Sequence, residues 1–246
     1  MFADRRLAEI YDLLDPNRAD LDAYAAIAAE FGARSVLDVG CGTGTFACLL
    51  AAQGFDVVAV DPAVASLRVA KRKPEAVRVR WLLGDATTLP PLRVDLATMT
   101  GNVAQVFLDE DDWLATLRGV RSALRPGGRV VFELREPARQ AWRRWNRDES
   151  YERVDLAGIG TVCQWVEVTE CQWVEVTDVS GQLVSFMWTF QFEHSGEVLS
   201  SYSTLRFRPR DEIESSLAAA ELRLLEVRDA PDRPGLELVF IAECDR

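Results

Sequence analysis

The sequence predicts an α/β fold in which a doubly wound, mostly parallel sheet carries an antiparallel β insertion. Apolar segments of strand length alternate with helical segments from 35 to 134, which is typical of a parallel sheet covered on both faces. The glycine-rich turn Gly40-Cys-Gly-Thr-Gly44 directly follows the first of these strands, and Asp61 ends the second. From 151 to 208 the pattern changes to strand-like alternation with little helix.

The first half of the chain is expected to begin with two helices, at 3–14 and 19–31, because Asp15-Pro-Asn17 between them favours a turn. The alternating core follows, with strand 35–39, helix 45–54, strand 56–60, helix 63–72, strands 77–82 and 94–99, and helix 110–124. Arg125-Pro-Gly-Gly128 ends that last helix, because Pro cannot continue it and Gly adopts a left-handed conformation. Strand 129–134 comes next.

The chain after Pro137 is predicted to leave this pattern. Residues 138–147 favour a short helix on which Arg139, Arg143 and Arg147 share one face, either as a solvated surface or as a lid over an acceptor. Strand-like runs follow at 162–179, 183–193 and 198–208, and Ser195-Gly196 suits a hairpin turn between the last two.

The last part of the chain returns to the core pattern with a helix at 210–220 and strands at 222–228 and 236–243. We therefore expect a core formed by 1–137 and 209–246, including an N-terminal helical cap. The stretch 138–208 is then a β-rich insertion into that core.

A tandem repeat lies inside the insertion, where Cys163–Glu170 and Cys171–Asp178 differ only in their last residue. A local duplication that lengthens a strand or hairpin explains it, and a duplicated edge used for dimerisation is the alternative. One straight strand through both copies would be roughly 50 Å long at about 3.3 Å per residue. We therefore expect a bend, bulge or turn near Glu170-Cys171.

Composition excludes several classes of protein. The 246 residues are 48% hydrophobic, which provides a full core, and the net charge of −11 argues against a nucleic-acid partner. The five cysteines form no CxxC pair and no His/Cys cluster, so free thiols, no metal and a cytoplasmic location are expected. A signal segment and an apolar run of membrane-spanning length are both missing, so no membrane partner is expected.

Five ordered segments resemble the class I S-adenosylmethionine-dependent methyltransferases. They are Val36-Leu-Asp-Val-Gly-Cys-Gly-Thr-Gly44, Val57-Val-Ala-Val-Asp-Pro62, Leu83-Gly-Asp-Ala86, Asp95-Leu-Ala-Thr-Met-Thr-Gly-Asn102 and Leu124-Arg-Pro-Gly-Gly128. The resemblance implies a Rossmann-like, seven-stranded sheet whose last strand is antiparallel. It also implies S-adenosyl-L-methionine as the cofactor and S-adenosyl-L-homocysteine as the product.

The resemblance also assigns binding roles. Asp61 would accept hydrogen bonds from the ribose hydroxyls, as its position 21 residues after Gly40 also indicates, and Asp85 would accept one from the adenine amino group. Strand-end capping is the alternative for Asp61, and a local turn is the alternative for Asp85. The full set of expected cofactor-binding residues is Arg18, Gly40, Cys41, Gly42, Gly44, Asp61, Pro62, Asp85, Ala86 and Thr100.

The acceptor side is less defined. Tyr11-Asp-Leu-Leu, with Arg18 and Tyr24, resembles the leading segment of small-molecule N-methyltransferases, in which it closes over the cofactor. Candidate acceptor-side residues are Tyr11, Asn102, Phe107, Arg135 and Trp142, with packing or capping an equal alternative for several of them. Tyr11 is the candidate catalytic residue, whereas His194 precedes the expected hairpin turn, where exposure is the default.

The function predicted from the sequence is in-line methyl transfer to a small-molecule acceptor, with a homodimer formed through the β insertion as a further expectation. One alternative is an NAD(P)-dependent oxidoreductase, although the loop is Gly-x-Gly-x-Gly and no Tyr-x-x-x-Lys pair is present. The other alternative is a catalytically silent module that binds S-adenosylmethionine without turnover.

Overall fold

The fold of this chain is given by a computed structural model, which describes residues 4–176 and 179–245. The strands are β1 (Ser35–Val39), β2 (Asp56–Asp61), β3 (Val79–Leu83), β4 (Val94–Met99), β5 (Leu124–Arg135), β6 (Glu152–Leu156), β7 (Gly160–Val176), β8 (Val179–Phe192), β9 (Val198–Phe207), β10 (Leu222–Asp229) and β11 (Glu237–Cys244). The α-helices are α1 (Arg5–Leu14), α2 (Asp20–Glu30), α3 (Thr45–Ala52), α4 (Val64–Ala70), α5 (Glu110–Ala123), α6 (Arg147–Ser150) and α7 (Arg210–Ala219). Short 3-10 helices lie at Pro74–Arg78, Val103–Val106, Pro137–Arg139 and Ala141–Arg144.

Seven strands form the central sheet, in the order β3-β2-β1-β4-β5-β11-β10. The strands β1 to β5 pair in parallel, while β11 pairs antiparallel with both β5 and β10. The predicted seven-stranded sheet with an antiparallel last strand is therefore confirmed. Because the first five strands are parallel, their carboxyl ends meet along one edge, where ligands bind in sheets of this kind.

Both faces of the central sheet are covered, which explains the continuous apolar runs of its strands. Along β1, Leu37 and Val39 join one core cluster, in which Trp113 of α5 is fully buried. Val36 joins the opposite cluster with Leu50 of α3. Successive side chains of a strand point to opposite faces, so a strand buried on both faces must be apolar throughout.

The second sheet is antiparallel, in the order β6-β7-β8-β9. Gly196 adopts φ 69° in the turn between β8 and β9, so the hairpin predicted at Ser195-Gly196 is confirmed. The register of β7 against β8 shifts between Val168 and Glu170, which confirms the irregularity expected near Glu170-Cys171. Both repeat copies lie in β7 up to Val176, and the end of the second copy, 177–178, lies outside the described residues.

The helix predicted at 138–147 is wrong. Gln140 adopts φ 48° and separates two short 3-10 helices, and α6 begins only at Arg147. The rings of Trp142 and Trp145 pack edge-on against Phe207 and Phe186, with centroid distances of 4.5 and 4.8 Å. These contacts with the second sheet hold the segment in a folded turn, so the arginines at 139, 143 and 147 do not share one helix face.

Helix α1 connects the two sheets. Its apolar side chains Leu7 and Ile10 are buried in one cluster with Val162, Phe190 and Leu199 of the second sheet. The helix also packs against α4 of the core. Within residues 4–176 and 179–245, no helix combines the length and the apolar character that crossing a bilayer requires.

Gly44, which precedes α3, lies where a side chain does not fit. It adopts φ 76°, and a Cβ added there would lie 2.4 Å from the Trp81 ring and 2.8 Å from the Ala70 Cβ. We expect Gly44→Ala to lower the free energy of unfolding by about 1–2 kcal/mol for the left-handed backbone, plus about 1–3 kcal/mol for overpacking. Urea unfolding measures this loss.

Gly32→Ala is the matched control, because Gly32 adopts φ 61° with nothing within 4 Å of an added Cβ. For Gly32→Ala, only the loss of about 1–2 kcal/mol in the free energy of unfolding that comes from the left-handed backbone is expected. Equal losses in the two variants would show that contact with Trp81 does not restrict position 44.

Candidate functional site

One cavity lies at the carboxyl ends of β1, β2, β3 and β4 and has a volume of about 380 Å³. Ten residues predicted from the sequence line it: Tyr11, Arg18, Gly40, Cys41, Asp61, Pro62, Asp85, Ala86, Thr100 and Phe107. Side chains from α1, from the α1–α2 connection and from four strand ends are therefore brought to one place.

The turn after β1 approaches its neighbours closely. The amides of Gly40 and Cys41 both donate to the Val60 carbonyl oxygen, at 2.9 and 3.2 Å. Gly40 adopts φ 71°, and an added Cβ would lie 2.6 Å from a methyl group of Val103 on the opposite wall. Glycine at position 40 therefore keeps the turn and the wall in contact and leaves main chain exposed to the cavity.

Asp61 ends β2 and is only 6% exposed. Its Oδ2 accepts a hydrogen bond from the Gly42 amide at 2.8 Å, and its Oδ1 accepts one from the Ala63 amide at 2.7 Å. Burial raises the pKa of Asp61, and these two amide hydrogen bonds oppose the rise. Because each carboxylate oxygen has two lone pairs, both can accept a further hydrogen bond from a ligand hydroxyl.

Asp85 combines the predicted position with a local turn. Its Oδ1 accepts from the Thr87 amide at 2.9 Å and from the Thr87 hydroxyl at 2.6 Å. These bonds, led by the hydroxyl of Thr87, hold the pKa of Asp85 below its usual value, so the side chain is a carboxylate at neutral pH. The next residue, Ala86, packs closely against α5. A Cβ added at Gly119 of this helix would lie 2.1 Å from the Ala86 carbonyl oxygen.

Asp38 lies inside β1, behind the glycine turn, and is 1% exposed. The Thr98 hydroxyl lies 3.3 Å from its Oδ1, while its Oδ2 is buried without a hydrogen-bond partner. Burial raises the pKa of Asp38 to about 7, and the nearby charge of Asp61 adds to the rise. Asp38 therefore supports the turn and does not line the cavity.

The N-terminal segment closes one side of the cavity. Asp12 Oδ1 accepts from the hydroxyls of Thr43 and Thr45 at 2.6 and 3.1 Å, and its Oδ2 lies 2.8 Å from Lys73 Nζ. This holds α1 against the glycine turn and brings Tyr11 to the cavity, where burial raises the pKa of its phenol. Arg18 Nε and Nη2 donate to the Asp20 carboxylate, each at 3.1 Å.

Five predicted site residues are not among those that line this cavity, and each makes other contacts in the structure. Gly42 donates its amide to Asp61, and Gly44 packs against Trp81. Asn102 is 3% exposed and directs its side-chain amide to Glu237, at 3.4 Å. The remaining two are also buried in other contacts, since Arg135 donates to Gln105 Oε1 at 3.1 Å and Trp142 packs on Phe207.

Ten further lining residues were not predicted: Leu21, Val39, Thr43, Thr45, Phe46, Ala63, Gly84, Gly101, Val103 and Val106. The two threonines belong to the glycine turn and could have been found from that position. The apolar side chains carry no chemical signal, and they reach the cavity only through tertiary packing. Within the described part of the chain, no three His, Cys, Asp or Glu side chains are placed to hold a metal ion.

Comparison with known proteins identifies the core of this chain. Residues 36–128 match the family model of a methyltransferase domain. The chain is 34% identical over 140 residues to the cypemycin N-terminal methyltransferase of Streptomyces sp, which covers 55% of this chain and 57% of that protein. The chain thus spans little more than half the length of the curated relatives it matches.

Solved structures agree over almost the whole chain. The CcbJ methyltransferase from Streptomyces caelestis superposes with a TM-score of 0.76 at 22% identity, covering 100% of this chain and 98% of that one. An amino pentose methyltransferase from Micromonospora echinaspora, solved with S-adenosylmethionine bound, gives a TM-score of 0.69 at 20% identity over 96% of each chain. The resemblance to methyltransferases is therefore confirmed for the domain at 36–128, and the fold of the chain is that of these solved methyltransferases.

Asp38 makes the stability of the fold depend on pH. In the folded protein burial raises the pKa of the Asp38 carboxyl to about 7, whereas its ordinary value is 3.8. Ionising Asp38 therefore destabilises the fold as the pH rises from about 4 to about 7. We expect the melting temperature of Asp38→Asn, relative to the unchanged protein, to be higher at pH 8 than at pH 5.

Asp56→Asn is the control for that comparison, because Asp56 is exposed at the start of β2. Its difference from the unchanged protein should be the same at both pH values. A difference for Asp38→Asn that does not change with pH would contradict the assigned burial of a protonated carboxyl. Differential scanning calorimetry at the two pH values decides the matter.

Proposed function

We propose, from its methyltransferase domain and class I fold, that this chain transfers a methyl group from S-adenosyl-L-methionine to a small-molecule acceptor. The observation that carries the proposal is the convergence of the glycine turn, Asp61 and Asp85 on one cavity. The family resemblance assigns Asp61 to the ribose and Asp85 to the adenine, and the glycine turn would leave room for the methionine end and the ribose to approach the main chain.

The residues of the cavity would divide the cofactor between them. Asp61 uses one lone pair of each oxygen for the main chain, which leaves both oxygens able to accept from a vicinal pair of hydroxyls. Asp85 would accept from the adenine amino group at the cavity edge. Arg18 is shared with Asp20, so it would meet the methionine carboxylate as part of an ion-pair network.

Methyl transfer needs alignment more than side-chain chemistry. When bound, the cofactor would supply a methyl group on a sulfonium sulfur, which is a good leaving group because it becomes a neutral thioether once the methyl group is transferred to the acceptor lone pair. The protein contributes by holding the reacting atoms in position. Tyr11 would act as a neutral phenol that orients the acceptor, because burial raises its pKa. His194 is exposed near the β8–β9 turn and takes no part.

The size of the cavity suits a small ligand. Its volume of about 380 Å³ is within the range of roughly 300–1,000 Å³ that small-molecule pockets occupy, and the residues assigned to the cofactor line much of it. Its remaining wall, formed by Val103, Val106 and Phe107, is apolar. Helix α1, which brings Tyr11 to the cavity, is packed against the second sheet. We therefore retain the division into a core, 1–137 and 209–246, and an insertion at 138–208 that supports the acceptor side.

Ligand binding and turnover together test this function. Calorimetry should show S-adenosylhomocysteine binding in preference to NAD, and preferred NAD binding would favour the oxidoreductase alternative. Incubation with S-adenosylmethionine and a panel of small amines and phenols should release S-adenosylhomocysteine. Binding without release from any acceptor would support the silent module instead.

Asp61 provides the sharpest mutational test of the cofactor site. Asp61→Ala should weaken binding of S-adenosylmethionine at least tenfold, because a buried two-point contact is lost and each hydrogen bond to a charged group is worth about 1.5–3 kcal/mol. Isothermal titration measures the affinity. Asp56→Ala, at the exposed end of the same strand, is the control and should bind normally, and an unchanged affinity in Asp61→Ala would exclude the ribose contact.

We also propose a second copy of this chain as the partner and the cytoplasm as the compartment. A homodimer through the second sheet is supported by its edge strand β9, on which Val198 and Tyr202 are 52% and 72% exposed. An edge strand has unpaired backbone groups that a second copy can pair with. A reducing, cytoplasmic location is supported by Cys41, Cys48, Cys163 and Cys244, which are free thiols.

The dimer has its own test. Val198→Lys with Tyr202→Lys should convert a dimer to a monomer in size-exclusion chromatography with light scattering, because two like charges would face each other across the edge. The control is Leu225→Lys on β10, an edge strand of the other sheet. A monomer for the unchanged protein at about 50 μM would exclude this interface, since stable interfaces hold at such concentrations.

A further inference from the structure

A buried carboxylate lies behind the turn that follows β4. Glu133 of β5 is 5% exposed, and its Oε1 accepts from the Gly101 amide at 2.6 Å and from the Asn102 amide at 3.1 Å. Glu133 does not line the cavity, but Thr100 and Gly101 of the turn do. Glu133 can therefore affect the cavity through the main chain of the turn that it binds.

The turn has a conformation that needs such an anchor. Gly101 and Asn102 both adopt left-handed backbone angles, with φ 71° and 61°. For a residue with a side chain this conformation costs roughly 1–2 kcal/mol. Successive amides in such a turn can point to one side and form a concave site for an anion. Glu133 fills that site from within the protein.

The position of the turn decides the position of one cavity wall. Asn102 is followed directly by Val103, whose methyl groups would contact any side chain at Gly40 at 2.6 and 2.7 Å. The same short 3-10 helix carries Val106, which also lines the cavity. A shift of the turn would therefore move Thr100 and this wall together against the glycine turn.

We propose that Glu133 is a positioning residue, whose carboxylate holds the Thr100–Asn102 turn and the Val103–Val106 wall in the geometry that binds the cofactor. This role rests on the function proposed above. Glu133 touches neither cofactor nor acceptor, and it acts through the two amides that it binds.

The surroundings of Glu133 show that it is not placed there for stability. It faces Glu237 of β11, and also Asp232, Arg233 and Arg135. Burial first, and then the charge of Glu237, raise the pKa of Glu133 to about 7. A carboxyl with a raised pKa destabilises the folded state once it ionises, so a residue that only packed there would be apolar.

Two substitutions separate the hydrogen bonds from the packing. Glu133→Leu keeps a similar volume but leaves both amides without an acceptor, whereas Glu133→Gln keeps an accepting oxygen. We expect Glu133→Leu to weaken the affinity for S-adenosylhomocysteine at least tenfold in calorimetry, and Glu133→Gln to remain within about threefold of the unchanged protein. Glu243→Gln is the control, because Glu243 lies on the same strand β11 as Glu237 but pairs with Arg129 and Arg223, away from the turn, and the variant should bind S-adenosylhomocysteine normally.

A second measurement needs neither activity nor a folded Glu133→Leu. The amide proton of Gly101 should shift in NMR spectra between pH 5 and pH 8 as Glu133 titrates, and this shift should be missing in Glu133→Gln. A Gly101 signal that does not move, or a Glu133→Leu variant that binds as tightly as the unchanged protein, would overturn the proposal. If the unchanged protein binds no S-adenosylhomocysteine, the proposed function fails instead.

Discussion

The site depends on one buried carboxylate that joins two loops. Asp61 lies at the end of β2 and binds the Gly42 amide with one oxygen and the Ala63 amide with the other. The first amide belongs to the turn after β1, and the second lies directly before α4. Because parallel strands end at the same edge, one side chain can fix both loops, and the rest of the cavity is built against them. Asp61, the side chain that would bind a ribose, therefore also holds in place the two loops that form the pocket around it.

The N-terminal helix makes the second sheet part of the same structure. Leu7 and Ile10 of α1 are buried against the second sheet, and Asp12 of the same helix binds the threonine hydroxyls of the glycine turn. Tyr11 lies between these two sets of contacts and reaches the cavity. A movement of the second sheet would thus be transmitted to Tyr11 and to the glycine turn through a single rigid helix. The insertion need not contribute a side chain to the cavity in order to influence it.

The sequence predicted the core closely, because its strands are buried on both faces. The bounds of β1 and β4 match the predicted 35–39 and 94–99, where apolar runs stop at turn-forming residues. The strand β5 begins earlier than the predicted 129, at Leu124, and its register against β4 is irregular around the two glycines. The helix predicted at 138–147 is wrong, because the contacts of Trp142 and Trp145 with Phe207 and Phe186 fold this segment onto the second sheet.

The site residues also fall into those that the sequence predicts and those that only the folded structure reveals. Residues in the glycine turn and at strand ends could be predicted, since a turn or a carboxylate at a fixed distance from a strand has a chemical reason. Val103 and Val106 could not, because only tertiary packing brings an apolar side chain to a cavity. Glu133 was also missed, since a glutamate inside a strand gives no sign that its oxygen binds the amides of another turn.

The distribution of buried acid groups follows from the proposed reaction. Glu212 is paired with Arg206 and Arg208 at 2.8 and 2.9 Å, whereas Asp38 and Asp61 have main-chain or hydroxyl donors as their hydrogen-bond partners in the described structure. Of these two, Asp61 is the group whose negative charge would favour a cationic ligand such as a sulfonium, since burial keeps Asp38 protonated up to about pH 7. The positive charge of the sulfonium is lost during methyl transfer, so a carboxylate against the sulfur would stabilise the reactant more than the transition state. The wall formed by Val103, Val106 and Phe107 is uncharged, whereas Asp38 lies behind the glycine turn and Asp61 at the end assigned to the ribose. Under the proposed function, binding and reaction would be separated in space, because polar groups would hold the cofactor at one end while an apolar wall would leave its reactive end free to transfer the methyl group.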